Sequence, residues 1–114
     1  VLDNAKVLIL GATFKENCPD IRNSKVFDLE KNLTLMGLSV DVFDPIANFS
    51  DNVIGKINLV NTLSNDYYDL IILAVPHKEI VSGGIKEIKR ALKKDSIFCD
   101  LKSYFNVEDS NFRL

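Results

Sequence analysis

A chain of 114 residues with a formal net charge of −2, 46% hydrophobic and 26% charged, has the size and make-up of one globular domain with its own core. That balance gives no electrostatic case for nucleic acid or an anionic membrane surface, and no apolar run approaches bilayer-spanning length. Two cysteines without metal-ligand spacing suit a reducing, cytoplasmic setting better than a disulfide scaffold, and they nominate no metal site.

The first residues lead directly into a strand pattern, so no secretory leader is expected, and a start without methionine is what a piece of a longer chain would show. Lys6 to Ala12 reads as a buried strand, near-continuously apolar, with Gly11 ending the ladder. A polar loop follows, carrying Lys15, Glu16, Cys18, Asp20 and Arg22. Ser24 is the predicted N-cap of a helix from Lys25 to about Met36, in which Val26, Leu29, Leu33 and Met36 recur at helical spacing and Gly37 supplies the stop. Leu38 to Phe43 is a second strand, closed by Asp44-Pro45 because proline has no amide hydrogen for a ladder. Ile46 to Gly55 reads as loop, or as a short helix from about Ser50; Ile57 to Val60 reads as a short third strand, and Thr62 to Tyr68 as a helical turn or short helix.

Asp69 to Val75 is the clearest strand, bounded by Pro76. Lys78 to Lys93 is helical, with Ile80, Val81, Ile85, Ile88 and Leu92 on one stripe. Gly83-Gly84 predicts a break into two helices, since glycine costs about 1 kcal/mol relative to alanine inside a helix. Ser96 to Asp100 is a fifth strand, and the tail from Leu101 holds at most one more helical turn. This alternation predicts an α/β domain without linker or repeat: a Rossmann-like three-layer αβα sandwich whose mainly parallel sheet has about five strands.

In open sheets of this class, ligands bind at loops leaving the carboxyl ends of strands. The loop after the first strand lacks Gly-x-Gly-x-x-Gly, and Phe14 stands where a small residue would let backbone approach a pyrophosphate, which disfavours an NAD site within the chain. What the loop offers is cations. Lysine acts as a point charge on phosphate, arginine grips two oxygens in a fork, and a helix start adds unpaired amides. A plainer alternative is that Lys15 and Arg22 pair with Glu16 and Asp20 on the surface.

The string Phe14-Lys15-Glu16-Asn17-Cys18-Pro19-Asp20-Ile21-Arg22-Asn23-Ser24-Lys25-Val26 resembles the C-terminal UDP-binding domain of the UDP-glucose/GDP-mannose dehydrogenase family. Within that family it is most similar to the branch that oxidises UDP-N-acetylhexosamines for capsule, O-antigen or Vi-type polysaccharides. The family pattern is roughly Gly-Leu-Thr/Ala-Phe-Lys followed by Asp-x-Arg-x-Ser; Ala12 stands where leucine is usual. Asp44-Pro45 and Asp100-Leu101-Lys102 extend the resemblance over essentially the whole chain.

The resemblance implies that residues 1–114 are the UDP-sugar-binding part of a longer enzyme, whose N-terminal domain binds NAD and whose central helix links the two. Such enzymes oxidise the sugar C6 alcohol to a carboxylate with two NAD, through a cysteine-bound thiohemiacetal and thioester, usually as dimers or larger assemblies. Carried over by residue, Phe14 and Lys15 contact the UDP-sugar, Arg22 orders the loop or touches phosphate, and Lys102 contacts substrate. The family's cysteine motif, Gly-Phe-Gly-Gly-x-Cys, is not in this chain, so no catalytic residue is assigned and the fragment alone is expected to be inactive.

Cys18 therefore reads as a bystander without a base, and Cys99 as a small core residue. His77, at the end of the fourth strand, reads as structural or as a contact with the tail. Asp44 reads as a turn rather than a ribose ligand, and Tyr67-Tyr68 as a partly exposed helix end. The alternative to an enzyme domain is a non-catalytic nucleotide-binding or regulatory module on the same sheet.

Overall fold

Parallel pairing dictates the architecture, because each strand must return through a crossover before the next can align with it. The computed structural model describes residues 4–22, 24–49 and 56–113. Strand β1 is Lys6–Leu10, helix α1 Val26–Leu35, β2 Ser39–Phe43, β3 Asn58–Leu59 and β4 Tyr68–Leu73. Helices α2 (Lys78–Val81) and α3 (Ile85–Ala91) lead into β5 (Leu92–Asp100), followed by a 3₁₀ turn at Val107–Asp109 and β6 (Phe112–Arg113). The sheet order is β3-β2-β1-β4-β5-β6 with every neighbouring pair parallel. This is the doubly wound order, and it reverses direction between β1 and β4.

Strand alternation splits the core into two layers. Val7, Ile9, Val40, Val42 and Ile72 pack with Val26, Leu29 and Leu33 of α1 on one face. Leu8, Leu10, Ile71, Leu73 and Phe98 pack with Ile80, Val81, Ile88 and Ala91 of α2 and α3 on the other. The predicted three-layer α/β architecture is thus observed, with six strands rather than about five; the two outermost strands are only two residues long.

Several boundaries differ from the periodicity, each for a local reason. The N-cap of α1 is Lys25, one residue after the predicted Ser24, whose Oγ nevertheless accepts the Val26 amide at 3.2 Å. Gly37, at φ +92°, stops α1, with the Gly37 and Leu38 amides reaching Thr34 O and Leu33 O. The segment Thr62 to Tyr68 is not helical. Asp66 and Tyr67 donate their amides to Arg90 O and Ala91 O instead of to their own preceding turn, Asp66 is left-handed at φ 55°, and Tyr68 already opens β4.

Gly83-Gly84 breaks the long helix as expected, with Gly84 at φ +79°. Leu92 and Lys93, which the apolar stripe places in that helix, belong to β5. Ala91 passes into the strand without a loop, and Leu92 pairs with Tyr68. The next partners are Leu70 and Ile97, so residues 93–96 bulge out around a left-handed Asp95. The loop-or-helix alternative from about Ser50 to Gly55 lies outside the described residues.

Gly11 fixes how β1 meets its neighbour. At φ +91° it turns the chain against β4's extension, where a Cβ would stand 2.6 Å from both the Val75 Cβ and the Val75 carbonyl oxygen. Gly11→Ala is expected to cost about 1–3 kcal/mol for the overlap and about 1–2 kcal/mol for the backbone conformation. Urea unfolding should show a lower midpoint at unchanged slope; an unmoved midpoint would mean that Val75 gives way freely.

Candidate functional site

The doubly wound order opens a crevice where β1 and β4 send their connections to opposite faces. A cavity of about 380 Å³ lies there, within the usual size range of ligand sites. Thr13 and Phe14 reach it from the loop after β1, Ala74 and Val75 from the end of β4, Leu101 and Lys102 from the end of β5, and Ser24, Lys25, Val26 and Leu29 from the start of α1. Phe14, 58% exposed, presents its ring at the rim of this cavity. Among the described residues, neither the Lys25 nor the Lys102 ammonium has a carboxylate partner.

Buried carboxylates hold the walls. Asp100 is fully buried at the end of β5 and accepts the Tyr104 and Phe105 amides at 3.1 and 2.8 Å. The Leu101 amide continues the sheet onto Leu73 O, so Lys102 projects from a turn locked on both sides. Asp44 ties together three loops. Its Oδ1 accepts the Ile46 and Ala47 amides at 2.9 Å, forming the turn expected at Asp44-Pro45, while its Oδ2 meets the Ala12 amide at 2.7 Å and His77 Nε2 at 2.8 Å. His77 is fully buried and contacts the loop after β1, not the tail.

The loop itself is closed on its own backbone. Gly11 donates to Phe43 O, Ala12 to Asp44, Phe14 to Asp20 O, Asn17 to His77, Arg22 to Asp20 and Ser24 to Ile21 O. Six backbone amides of this stretch are thus already bonded, and the Asp44 carboxylate is turned inward. The residues present do not fit NAD, in agreement with the missing glycine fingerprint.

Of the four residues nominated from sequence, the structure brings Phe14 and Lys102 into one cavity. Lys15 follows Phe14 on the exposed loop, its ammonium without a carboxylate partner among the described residues and its carbonyl held by the Thr13 hydroxyl at 2.9 Å. Arg22 lies apart. It lines a second depression with Cys18, Pro19, Ile21, Phe27 and Asn48. Its guanidinium forks onto Asp20, Nε to Oδ1 at 3.0 Å and Nη2 to Oδ2 at 2.8 Å. The plainer surface-pair alternative thus holds for Arg22 and Asp20.

Cys18 has no base within this arrangement: both His77 ring nitrogens are engaged, Nδ1 by Asn17 and Nε2 by Asp44 and Thr13. Cys99 packs half-buried against the α1-side core, where burial pushes its thiol up. Tyr68 is not a helix end. It is buried at the start of β4, its hydroxyl donates to Asp41 at 2.7 Å, and burial followed by that bond raises it well above the ordinary tyrosine range.

Sequence reasoning missed Lys25, which it treated only as a helix start. The signal was available: the first turn of a crossover helix sits over the carboxyl edge of the strand it leaves. Thr13 carried no comparable signal, because its role depends on a histidine 64 residues away.

Against known proteins, residues 8–107 match the family model described as "UDP-glucose/GDP-mannose dehydrogenase family, UDP binding domain". A UDP-N-acetyl-D-glucosamine 6-dehydrogenase of Pseudomonas aeruginosa is 42% identical over 114 residues, covering 99% of this chain and 27% of that protein. One of the same description from Salmonella typhi is 37% identical over 115 residues, again covering 99% and 27%. A UDP-D-ManNAc dehydrogenase structure from Pyrococcus horikoshii superposes with a TM-score of 0.69 at 20% identity, over 98% of this chain and 25% of that one, which shows a shared fold. The chain spans about a quarter of the length of these relatives.

The Asp20–Arg22 fork has a pH signature. The Arg22 hydrogen bond lowers the Asp20 carboxyl from 3.8 to about 2. A carboxyl lowered on folding contributes stability that is present above 3.8 and is lost as pH falls through about 2. Carbon-13 titration of Asp20 should give a midpoint well below 3.8 that returns toward that value in Arg22→Ala; an ordinary midpoint in the unmutated protein would mean the fork is not populated in solution.

Proposed function

This chain belongs to the UDP-glucose/GDP-mannose dehydrogenase family, matching its UDP-binding domain, and we propose that the cavity between Phe14, Lys25 and Lys102 holds the UDP end of a nucleotide sugar. One observation carries the reading: two lysines without a carboxylate partner among the described residues, and an exposed aromatic ring, line a cavity at the switch point. An anion entering this cavity is neutralised by side-chain ammonium groups rather than by a backbone cradle. Phe14 supplies apolar area for the nucleoside, and Lys15, next along the loop, reaches toward the same ligand from the rim. Arg22 acts indirectly, by splinting the loop through Asp20.

In this reading the chain is the substrate-closing domain of a longer NAD-dependent 6-dehydrogenase. That enzyme takes the C6 alcohol of a UDP-N-acetylhexosamine to a uronate in two oxidations. The cysteine nucleophile and the NAD site lie in parts of the protein beyond residues 1–114. This chain's share of the chemistry is to bind the diphosphate and orient the sugar. The identity with two UDP-N-acetyl-D-glucosamine 6-dehydrogenases supports an N-acetylhexosamine over a plain hexose.

Calorimetry of the intact dehydrogenase with UDP tests the site. A hydrogen bond to a charged group contributes about 1.5–3 kcal/mol, so Lys25→Ala and Lys102→Ala should each weaken UDP by about tenfold or more. Both lysines are exposed, and their removal should leave the melting temperature near that of the unmutated protein. Unchanged affinity in both variants would move the site elsewhere, and NAD reduction with a plain UDP-hexose in preference to UDP-N-acetylhexosamines would overturn the substrate class.

A further inference from the structure

The one buried histidine is not used by the binding site as described, yet it sits directly beneath it. Asn17 presents its backbone amide to His77 Nδ1 at 2.9 Å. An amide can only donate, so Nδ1 holds a lone pair and the ring proton is on Nε2. That nitrogen lies 2.8 Å from Asp44 Oδ2 and 2.9 Å from Thr13 Oγ1. The Thr13 hydroxyl spends its own hydrogen on Lys15 O, leaving its oxygen as an acceptor for Nε2–H. The Nε2–H is then shared between two acceptors, Asp44 Oδ2 and Thr13 Oγ1, while Nδ1 keeps its lone pair for the Asn17 amide.

The geometric consequence concerns the loop. Thr13 and Asn17 flank Phe14, Lys15 and Glu16, all three exposed, and both flanking residues bind the same ring through its two nitrogens. The imidazole therefore spans the base of the loop. Asn17 is held a second time, its Oδ1 accepting the Lys78 amide at 2.9 Å at the start of α2, and it occupies the left-handed region at φ 61°, which asparagine tolerates.

We propose that His77 is a positioning residue, whose Nδ1 lone pair pins the Asn17 end of the loop and so sets Phe14 and Lys15 for the nucleotide. This rests on the UDP reading of the cavity. A loop already fixed in its bound shape loses less freedom when ligand arrives, and that saving appears as affinity. A histidine that merely filled the core would matter by volume and burial alone; here it matters which nitrogen is kept.

Two measurements decide it. The chain has a single histidine, so a long-range proton–nitrogen correlation of the 114-residue chain reads its tautomer without ambiguity. The expected result is hydrogen on Nε2 and a lone pair on Nδ1; hydrogen on Nδ1 would break the Asn17 bond and overturn the latch, and it needs no mutation to be seen. In the intact dehydrogenase, His77→Asn keeps an acceptor near Nδ1, whereas His77→Gln keeps a donor toward Asp44. UDP affinity should fall about tenfold in His77→Gln and stay within about twofold of the unmutated enzyme in His77→Asn, although both variants melt earlier. Equal losses that follow the melting temperature would reduce His77 to packing. Absence of UDP binding by the unmutated enzyme would instead overturn the ligand reading, while the tautomer still decides the latch.

Discussion

The architecture of the site depends on one buried carboxylate. Asp44 leaves the end of β2 and collects four donors: two amides of its own turn, the Ala12 amide beyond β1, and His77 Nε2 beyond β4. Burying a charge is costly unless it is hydrogen-bonded, and four donors meet that requirement at both oxygens. The requirement works in the other direction too. None of the three loops can move alone without uncovering the carboxylate, so the carboxyl edge of the sheet behaves as one unit. Alanine at this position would remove the acceptor of three amides in two connections and of the His77 ring in a third.

In the proposed reading, closing the loop in this way shapes how the domain would recognise phosphate. A dinucleotide fold keeps its first-turn amides free and pointing outward, at the expense of glycine's conformational entropy. Here the Ala12, Phe14, Asn17 and Arg22 amides are bonded to Asp44, the Asp20 carbonyl, His77 and the Asp20 carboxylate, which ties the loop to its neighbours. In that reading recognition falls to side chains on separate supports: Lys25 at the N-cap of α1 and Lys102 on the turn locked by Asp100. Arg22 has the strongest fork available for phosphate, but Asp20 already occupies it.

Much of this was legible in the sequence because strands buried on both faces are written as continuous apolar runs. Val7–Leu10 and Ile71–Val75 can be little else, and once they are parallel the ligand edge follows. Phe14 and Lys102 were therefore findable: each lies within a few residues of a strand's carboxyl end. The failures share a cause. Leu92 continues the helical stripe of Ile85 and Ile88, and only its pairing with Tyr68 shows that the chain has already become a strand. Thr62 to Tyr68 reads as a helical turn between strands, yet its Asp66 and Tyr67 amides are claimed by Arg90 and Ala91, far along the chain. His77 likewise has no local partner; the residues that fix its tautomer lie 33 to 64 positions away.

The charges in the cavity bear on what belongs there. Two ammonium groups facing a common space repel each other, and the Asp100 carboxylate nearby is turned into its own loop, accepting amides rather than neutralising Lys102. A single negative group would offset two cations lining one cavity only in part. A diphosphate carries enough charge to satisfy both cations, and its two phosphates can reach supports on different sides of the cavity. The exposed ring of Phe14 beside the cations makes the third demand, a planar apolar body next to the anion. A bare phosphate would leave that ring uncovered, and an uncharged nucleoside would leave both lysines unpaired. A nucleoside diphosphate meets all three conditions, and that is the physical support for the proposed reading of the cavity.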